Sequence, residues 1–212
     1  MSAGTKIDGR TARSQRTRTA IIDAVLELLH GGDVHPSIED IAARAGVSQR
    51  SIFQHFGDRE SVLAAVGERH AERVRELWRR VPRDGPFAER LDAFLDQRVR
   101  LLEYITPVRR SALLSEPFSP VTRQGLERIR ALKRREAEQV FALELGALPA
   151  SERSTTRAAL GAAASWATWE SLRAHQGLSV PEAAAAVRRS IAALCLHVGG
   201  TTACARRPGP TT

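Results

Sequence analysis

Residues 37–56 read SIEDIAARAGVSQRSIFQHF, and the order of capping, apolar and glycine positions in this stretch decides the fold. Ser37 precedes Ile38, Ile41, Ala42 and Ala45, which fall at i, i+3, i+4 and i+7, and Asp40 stands three residues after the serine. That is a short, capped, amphipathic helix. Gly46 supplies the left-handed residue that a tight turn needs, and Val47 is an apolar plug. Ser48 is placed to cap a further helix that turns Ile52, Phe53 and Phe56 inward. Two short helices across a glycine turn make a helix-turn-helix, whose second helix fits a DNA major groove about 12 Å wide. The outward residues of that helix are Gln49, Arg50, Ser51, Gln54 and His55. Arg50 has the donors to read a guanine edge, and Gln49 and Gln54 those to read adenine. Backbone N–H groups near Ser37 and Ser48 can receive phosphate.

Helical periodicity continues on both sides of the motif, and no run of strict alternation argues for a strand. Before it, Ile21, Ile22, Val25, Leu26, Leu28 and Leu29 give an apolar face to a helix over 14–30, which Gly31-Gly32 ends. After it, Gly57-Asp58 stops one helix and caps the next. Six further helices are predicted over 59–81, 87–105, 107–114, 120–145, 151–176 and 181–198, separated by proline and glycine. The expectation is an all-α chain of about nine helices. It comprises a flexible basic arm over 1–13, a three-helix DNA-binding domain over 14–60, a helical regulatory and dimerisation domain over 61–198, and a disordered tail over 199–212.

The formal charge of +8 invites a nucleic-acid partner, but its placement says more than its sum. Residues 1–60 balance Lys6, Arg10, Arg13, Arg16, Arg18, Arg44, Arg50 and Arg59 against Asp8, Asp23, Glu27, Asp33, Glu39, Asp40, Asp58 and Glu60. The informative feature is local: Arg10 to Arg18 carries arginines and no acid, a basic arm suited to phosphate or minor-groove contact. Cys195 and Cys204 lie together near the C-terminus and offer neither a zinc-ligand spacing nor a disulfide framework. The six histidines, His30, His35, His55, His70, His175 and His197, are scattered, and no glycine-rich phosphate loop follows a strand. No metal, no cofactor and no catalysis are therefore expected. The first residues lack the apolar core of a signal peptide, and no stretch reaches the length of a spanning helix, so the sequence predicts a cytoplasmic protein without membrane contact.

Residues 37–56 with the following Gly57-Asp58-Arg59-Glu60-Ser61-Val62-Leu63 resemble the tetracycline-repressor (TetR) family of regulators. The shared elements are Ile41-Ala42, Ala45-Gly46-Val47-Ser48, Phe53-Gln54-His55-Phe56 and Arg59-Glu60-Ser61-Val62, and the likeness covers about residues 14–65. Two positions depart from the family pattern. Phe53 replaces a tyrosine whose hydroxyl would contact phosphate, leaving a ring that can only pack. Arg59 replaces a lysine but keeps the charge and the phosphate-contact role, and His55 carries over its role likewise.

The resemblance implies a homodimer on double-stranded DNA, paired through the helices over 151–176 and 181–198. Small residues at Ala158, Ala159, Gly161, Ala162, Ala163, Ala164, Ser165 and Ala167, with Val187, Ile191, Leu194 and Leu196, are compatible with that. It also implies a small-molecule effector held between central helices, for which Phe94, Leu102, Tyr104, Phe118, Phe141, Trp166 and Trp169 are candidate walls. Arg98, Arg100, Arg109 and Arg110 leave an acidic ligand open, though a solvated face is the simpler reading. The functional expectation is a ligand-responsive repressor on a near-palindromic operator. The alternative is a helical dimeric adaptor whose DNA-binding head is weak or vestigial.

Overall fold

The computed structural model describes residues 9–196, so the predicted tail and the first part of the predicted arm lie outside the described residues. Within those limits the chain is all-α, with no strand. The helices are α1 (Gly9–His30), α2 (Ile38–Ala45), α3 (Gln49–Phe56), α4 (Arg59–Leu77), α5 (Phe87–Ser115), α6 (Pro120–Val140), α7 (Ala142–Ala147), α8 (Ala150–Ala163), α9 (Trp166–Glu170) and α10 (Val180–Leu196). A π-helical turn, Ser171–His175, continues α9. None of the described helices is long and apolar enough to cross a membrane.

The described chain divides into two compact units, one of residues 9–78 and 104–126, the other of 79–103 and 127–196. In the first, α1 to α4 close around Ile21, Val25, Leu29, Ile41, Ala42, Ile52, Phe56, Val62, Ala65 and Val66. Each apolar stripe recurs every three or four residues, so each helix must bury one face. Val47 packs against this cluster, as a plug in the turn should. In the second, Phe94 meets Phe141 edge to face at 5.2 Å, and Leu160, Trp169, Val187 and Ile191 are buried. Charge is buried there too. Arg90, 1% exposed, donates to Glu144 (3.1 Å for one of two contacts), to the Val140 carbonyl and to the Gly85 carbonyl at 3.1 Å. Arg98 lies 3.1 Å from Glu136 and over the Phe94 ring at 4.6 Å.

Several boundaries correct the sequence expectation. Helix α1 begins at Gly9, so residues 9–13 of the expected flexible arm are helical. Residues 87–105 and 107–114 form one helix, because α5 runs through Pro107. A proline forfeits one hydrogen bond and crowds the preceding turn. Here burial of Leu101, Leu102, Arg109 and Ser111 fixes the helix on both sides of the ring. The expected helix over 120–145 divides instead at Phe141, whose φ of −106° and ψ of 26° are not helical. The one over 151–176 divides at Ser165, which takes extended backbone and caps α9 by accepting from the Thr168 N–H at 3.2 Å. Helix α4 stops at Leu77, four residues before the expected end at 81.

Candidate nucleic-acid interface

The geometry of residues 37–59 follows from its caps. Ser37 accepts from the Asp40 N–H at 3.0 Å while Asp40 accepts from the Ser37 N–H at 3.3 Å, a reciprocal capping box. Gly46 adopts φ 66°, ψ 34°, a left-handed conformation that favours glycine, and Val47 N–H closes the turn on the Ala42 carbonyl at 3.0 Å. Ser48 accepts from the Ser51 N–H at 3.1 Å and so starts α3. Asp58 accepts from the Ser61 N–H at 2.7 Å and starts α4, and this hydrogen bonding holds its carboxyl below the usual range. Every junction of the motif is thereby fixed locally.

Ile52 and Phe56 anchor α3 in the core, and Gln49, Arg50, Phe53 and Gln54 are exposed. These four fall at i, i+1, i+4 and i+5, one continuous face of a helix about 12 Å long. Ser51 and His55 are half-buried at its edge. Phe53 is the correction: expected inward with Ile52 and Phe56, it is 46% exposed. An inward apolar stripe on an eight-residue helix is filled by i and i+4, here Ile52 and Phe56, which leaves the intervening phenylalanine one position off the buried line.

Ser37 and Ser48 are both committed as caps, so phosphate at these helix ends would meet backbone N–H groups rather than free hydroxyls. Arg59 is half-buried and donates to the Pro36 carbonyl at 2.9 Å, tying the start of α4 to the residue before the α2 cap. Its remaining donors leave phosphate contact open to it. Arg18 was read as part of the basic arm, but it has a different position. Its guanidinium donates to the His55 carbonyl at 2.8 Å and lies 4.1 Å over the Phe56 ring. A cation there satisfies an otherwise open carbonyl at the C-terminus of α3 and suits the helix dipole. Sequence reasoning missed this clamp because 37 residues separate the partners and no local pattern marks them.

The seven candidate effector-wall residues do not converge. Tyr104 and Phe118 belong to the first unit; Phe94, Leu102, Phe141, Trp166 and Trp169 belong to the second. Phe118 is 87% exposed and walls no interior. Phe94, Leu102, Phe141 and Trp169 are buried, while Trp166 and Tyr104 are half-buried. Two surface clefts in the second unit, of about 390 and 310 Å³, are lined by none of the seven. Trp169 has a polar partner set. Its indole N–H donates to Glu103 at 2.7 Å, and Arg173, in the π-helical turn, donates to the same carboxylate at 3.2 Å. Arg98 and Arg109 are buried, so these two are not part of a solvated face.

Val187 and Ile191, offered for a dimer contact, are spent in the core of their own chain. Burial pushes the Cys195 thiol up to about 12, so it is no nucleophile near neutral pH. No group of three or more His, Cys, Asp or Glu side chains able to hold a metal ion occurs among the described residues.

Residues 21–66 match the family model described as bacterial regulatory proteins, tetR family. Among solved structures, the fold is similar to a transcriptional regulator from Rhodococcus sp. Rha1, with 19% identity over 87% of this chain and 96% of that one, at a TM-score of 0.62. It is also similar to a transcriptional regulator described as TerR/AcrR family from Aquifex aeolicus VF5, with 17% identity over 82% and 97% of the two chains, at a TM-score of 0.51. No curated protein matches the chain. Residues 21–66 thus carry a helix-turn-helix domain of the tetR-family type, set in an all-α described chain whose fold is similar to that of solved transcriptional regulators.

Proposed function

We propose that the protein is a ligand-responsive repressor that acts as a homodimer on a near-palindromic operator. The observation that carries the DNA-reading part is the exposed face of α3: Gln49, Arg50, Phe53 and Gln54 project together from a helix locked by Ser48, Gly57, Arg18 and its two buried anchors. Arg50 reads a guanine, Gln49 and Gln54 flank it, and Ser51 and His55 line the edge of the contact. Arg10, Arg13 and Arg16 on α1 add positive charge, which favours a phosphate partner. Arg59 and the N–H groups at the starts of α2 and α3 add phosphate contacts.

A dimer gives two such helices the two-fold spacing that successive half-sites require. Exposed small residues on α8 (Ala158, Ala162) and α10 (Ala185, Ala193), with Leu196, offer the close-packing face for it. Ligand response rests on a population shift in which the effector favours a head spacing that no longer fits the operator. A bias of about 5.5 kcal/mol would take a 1:99 equilibrium to 99:1. The Glu103–Trp169–Arg173 cluster is the polar group best placed to orient such an effector.

The test is fluorescence anisotropy with a duplex from the gene's own upstream region beside a scrambled duplex, at two salt concentrations. A steeply salt-dependent preference for the upstream duplex supports the reading. Arg50→Ala should weaken it by about 1–3 kcal/mol, roughly 5- to 150-fold, without changing binding to the scrambled duplex. Equal weak binding to both duplexes, unmoved by Arg50→Ala, would favour the adaptor.

A further inference from the structure

Phe53 is an unexplained residue at the centre of an otherwise polar surface. It stands on the exposed face of α3, and in helical projection falls between Gln49 and Arg50. Its ring takes no part in the aromatic and cation contacts of the first unit, which join His30, His70 and Tyr104 to one another and Arg18 to Phe56. The core beneath is already closed by Ile52 at 0% and Phe56 at 7% exposure, so Phe53 adds nothing to it.

A phenyl ring has no donor or acceptor, so it cannot bind a phosphate oxygen or the polar edge of a base. In the major groove one apolar group distinguishes the base pairs, the C5-methyl of thymine. Resting on the assignment of α3 as the reading helix, we propose that Phe53 is a specificity-determining residue that packs on the C5-methyl of one thymine in each half-site. Phe53 lies three residues beyond Arg50, a rise of about 4.5 Å. Base pairs stack at about 3.4 Å, so the thymine lies one or two base pairs from the guanine that Arg50 reads. The flanking polar side chains fix the register, and the ring turns that register into a preference for thymine over cytosine or uracil.

The experiment begins with the full-length protein and a random duplex pool, from which bound sequences are selected. In an enriched duplex each thymine is then replaced in turn by deoxyuridine, which deletes the methyl and leaves base pairing intact. At one position per half-site the wild-type protein should lose about fourfold in affinity, the worth of one buried methyl group. Phe53→Ala should bind the thymine duplex more weakly and show no further loss with deoxyuridine at that position, a complete coupling in the double-mutant cycle. Since Phe53 is half-exposed, the variant should melt within a degree or two of wild type, and Phe53→Leu should retain part of the methyl preference.

A uracil scan that is silent throughout, or equal in wild type and Phe53→Ala, overturns the assignment of Phe53 while leaving α3 as a reader. A pool from which nothing is enriched overturns both.

Discussion

Between residues 9 and 66 no polar or charged side chain is buried, whereas residues 79–103 and 127–196 bury Arg90, Gln97 and Arg98. The two regions are stabilised by different physics. In the first, apolar burial supplies the cohesion, caps three residues apart set the helix starts (Ser37 with Asp40, Ser48 with Ser51, Asp58 with Ser61), and the half-buried Arg18 and Arg59 reach distant backbone carbonyls. In the second, polar groups act across long separations, Arg90 on Glu144 and Arg98 on Glu136. Helices started by local caps leave the outer face of α3 exposed. The other region depends on charges that must find one another as the chain closes.

This contrast is broken most forcefully at Arg90. Replacing it with methionine strands the Glu144 carboxylate, whose side chain is 13% exposed, and frees the Val140 carbonyl. Removing one partner of a buried pair costs about 3–5 kcal/mol. The double variant Arg90→Met/Glu144→Leu should recover most of that loss, because a well-packed apolar pair needs no compensation. Urea unfolding followed by tryptophan fluorescence reads it directly, since Trp166 and Trp169 both lie in this unit. If the single variant unfolds at the wild-type midpoint, the buried pair does not hold the region.

The next effect belongs to the first unit but lies beyond the helix-turn-helix. His70 on α4 is 9% exposed, stacks on Tyr104 at 5.1 Å, and has no hydrogen-bond partner on either ring nitrogen. Burial, with His30 adding to it, takes its pKa from 6.5 down to about 4. Below pH 6.5 the unfolded chain takes up a proton that the folded chain refuses until about pH 4, so stability falls as pH drops through that window. The loss approaches roughly 3 kcal/mol at its lower end. His70→Phe should remove one proton from the pH dependence of unfolding and gain on wild type below pH 6, as measured by urea titrations at pH 7.5, 6 and 5. Parallel pH curves for the two proteins would show that His70 is not buried neutral.

What the sequence revealed follows the same division. The capped starts at Ser37 and Ser48, the turn at Gly46, the Gly57-Asp58 junction and the anchors Ile41, Ile52 and Phe56 were all legible, because each is set by neighbours within four residues. The continuity of α5 through Pro107 was not, since a local rule against proline is overruled by burial on either side. Nor were the breaks at Phe141 and Ser165, where one residue with non-helical backbone interrupts runs that read as unbroken helix. In the site, the sequence pattern puts Gln49, Arg50 and Gln54 on the exposed face, where they lie, while the hydrophobicity of Phe53 points it inward although it is exposed. Arg18 was legible as a charge and illegible as a clamp, since its partner is a backbone carbonyl that no side-chain pattern announces.

The smallest effects sharpen the comparison, because the same deletion can be made in both regions. Ser48→Ala removes the cap that accepts from the Ser51 N–H, and it should cost about 1 kcal/mol, fray the first turn of α3 and weaken operator binding as Gln49 and Arg50 lose their fixed position. Ser165→Ala removes the corresponding cap of α9, but Thr168 also donates its hydroxyl to the Ala162 carbonyl at 2.6 Å, which holds the α8–α9 junction by a second bond. That variant should lose about half as much stability, and its DNA affinity should stay at the wild-type value. Urea midpoints and anisotropy on one selected duplex compare the two. Equal costs in both assays would mean that the head does not owe its rigidity to local caps, and that the division between locally and distantly stabilised regions fails at its simplest point.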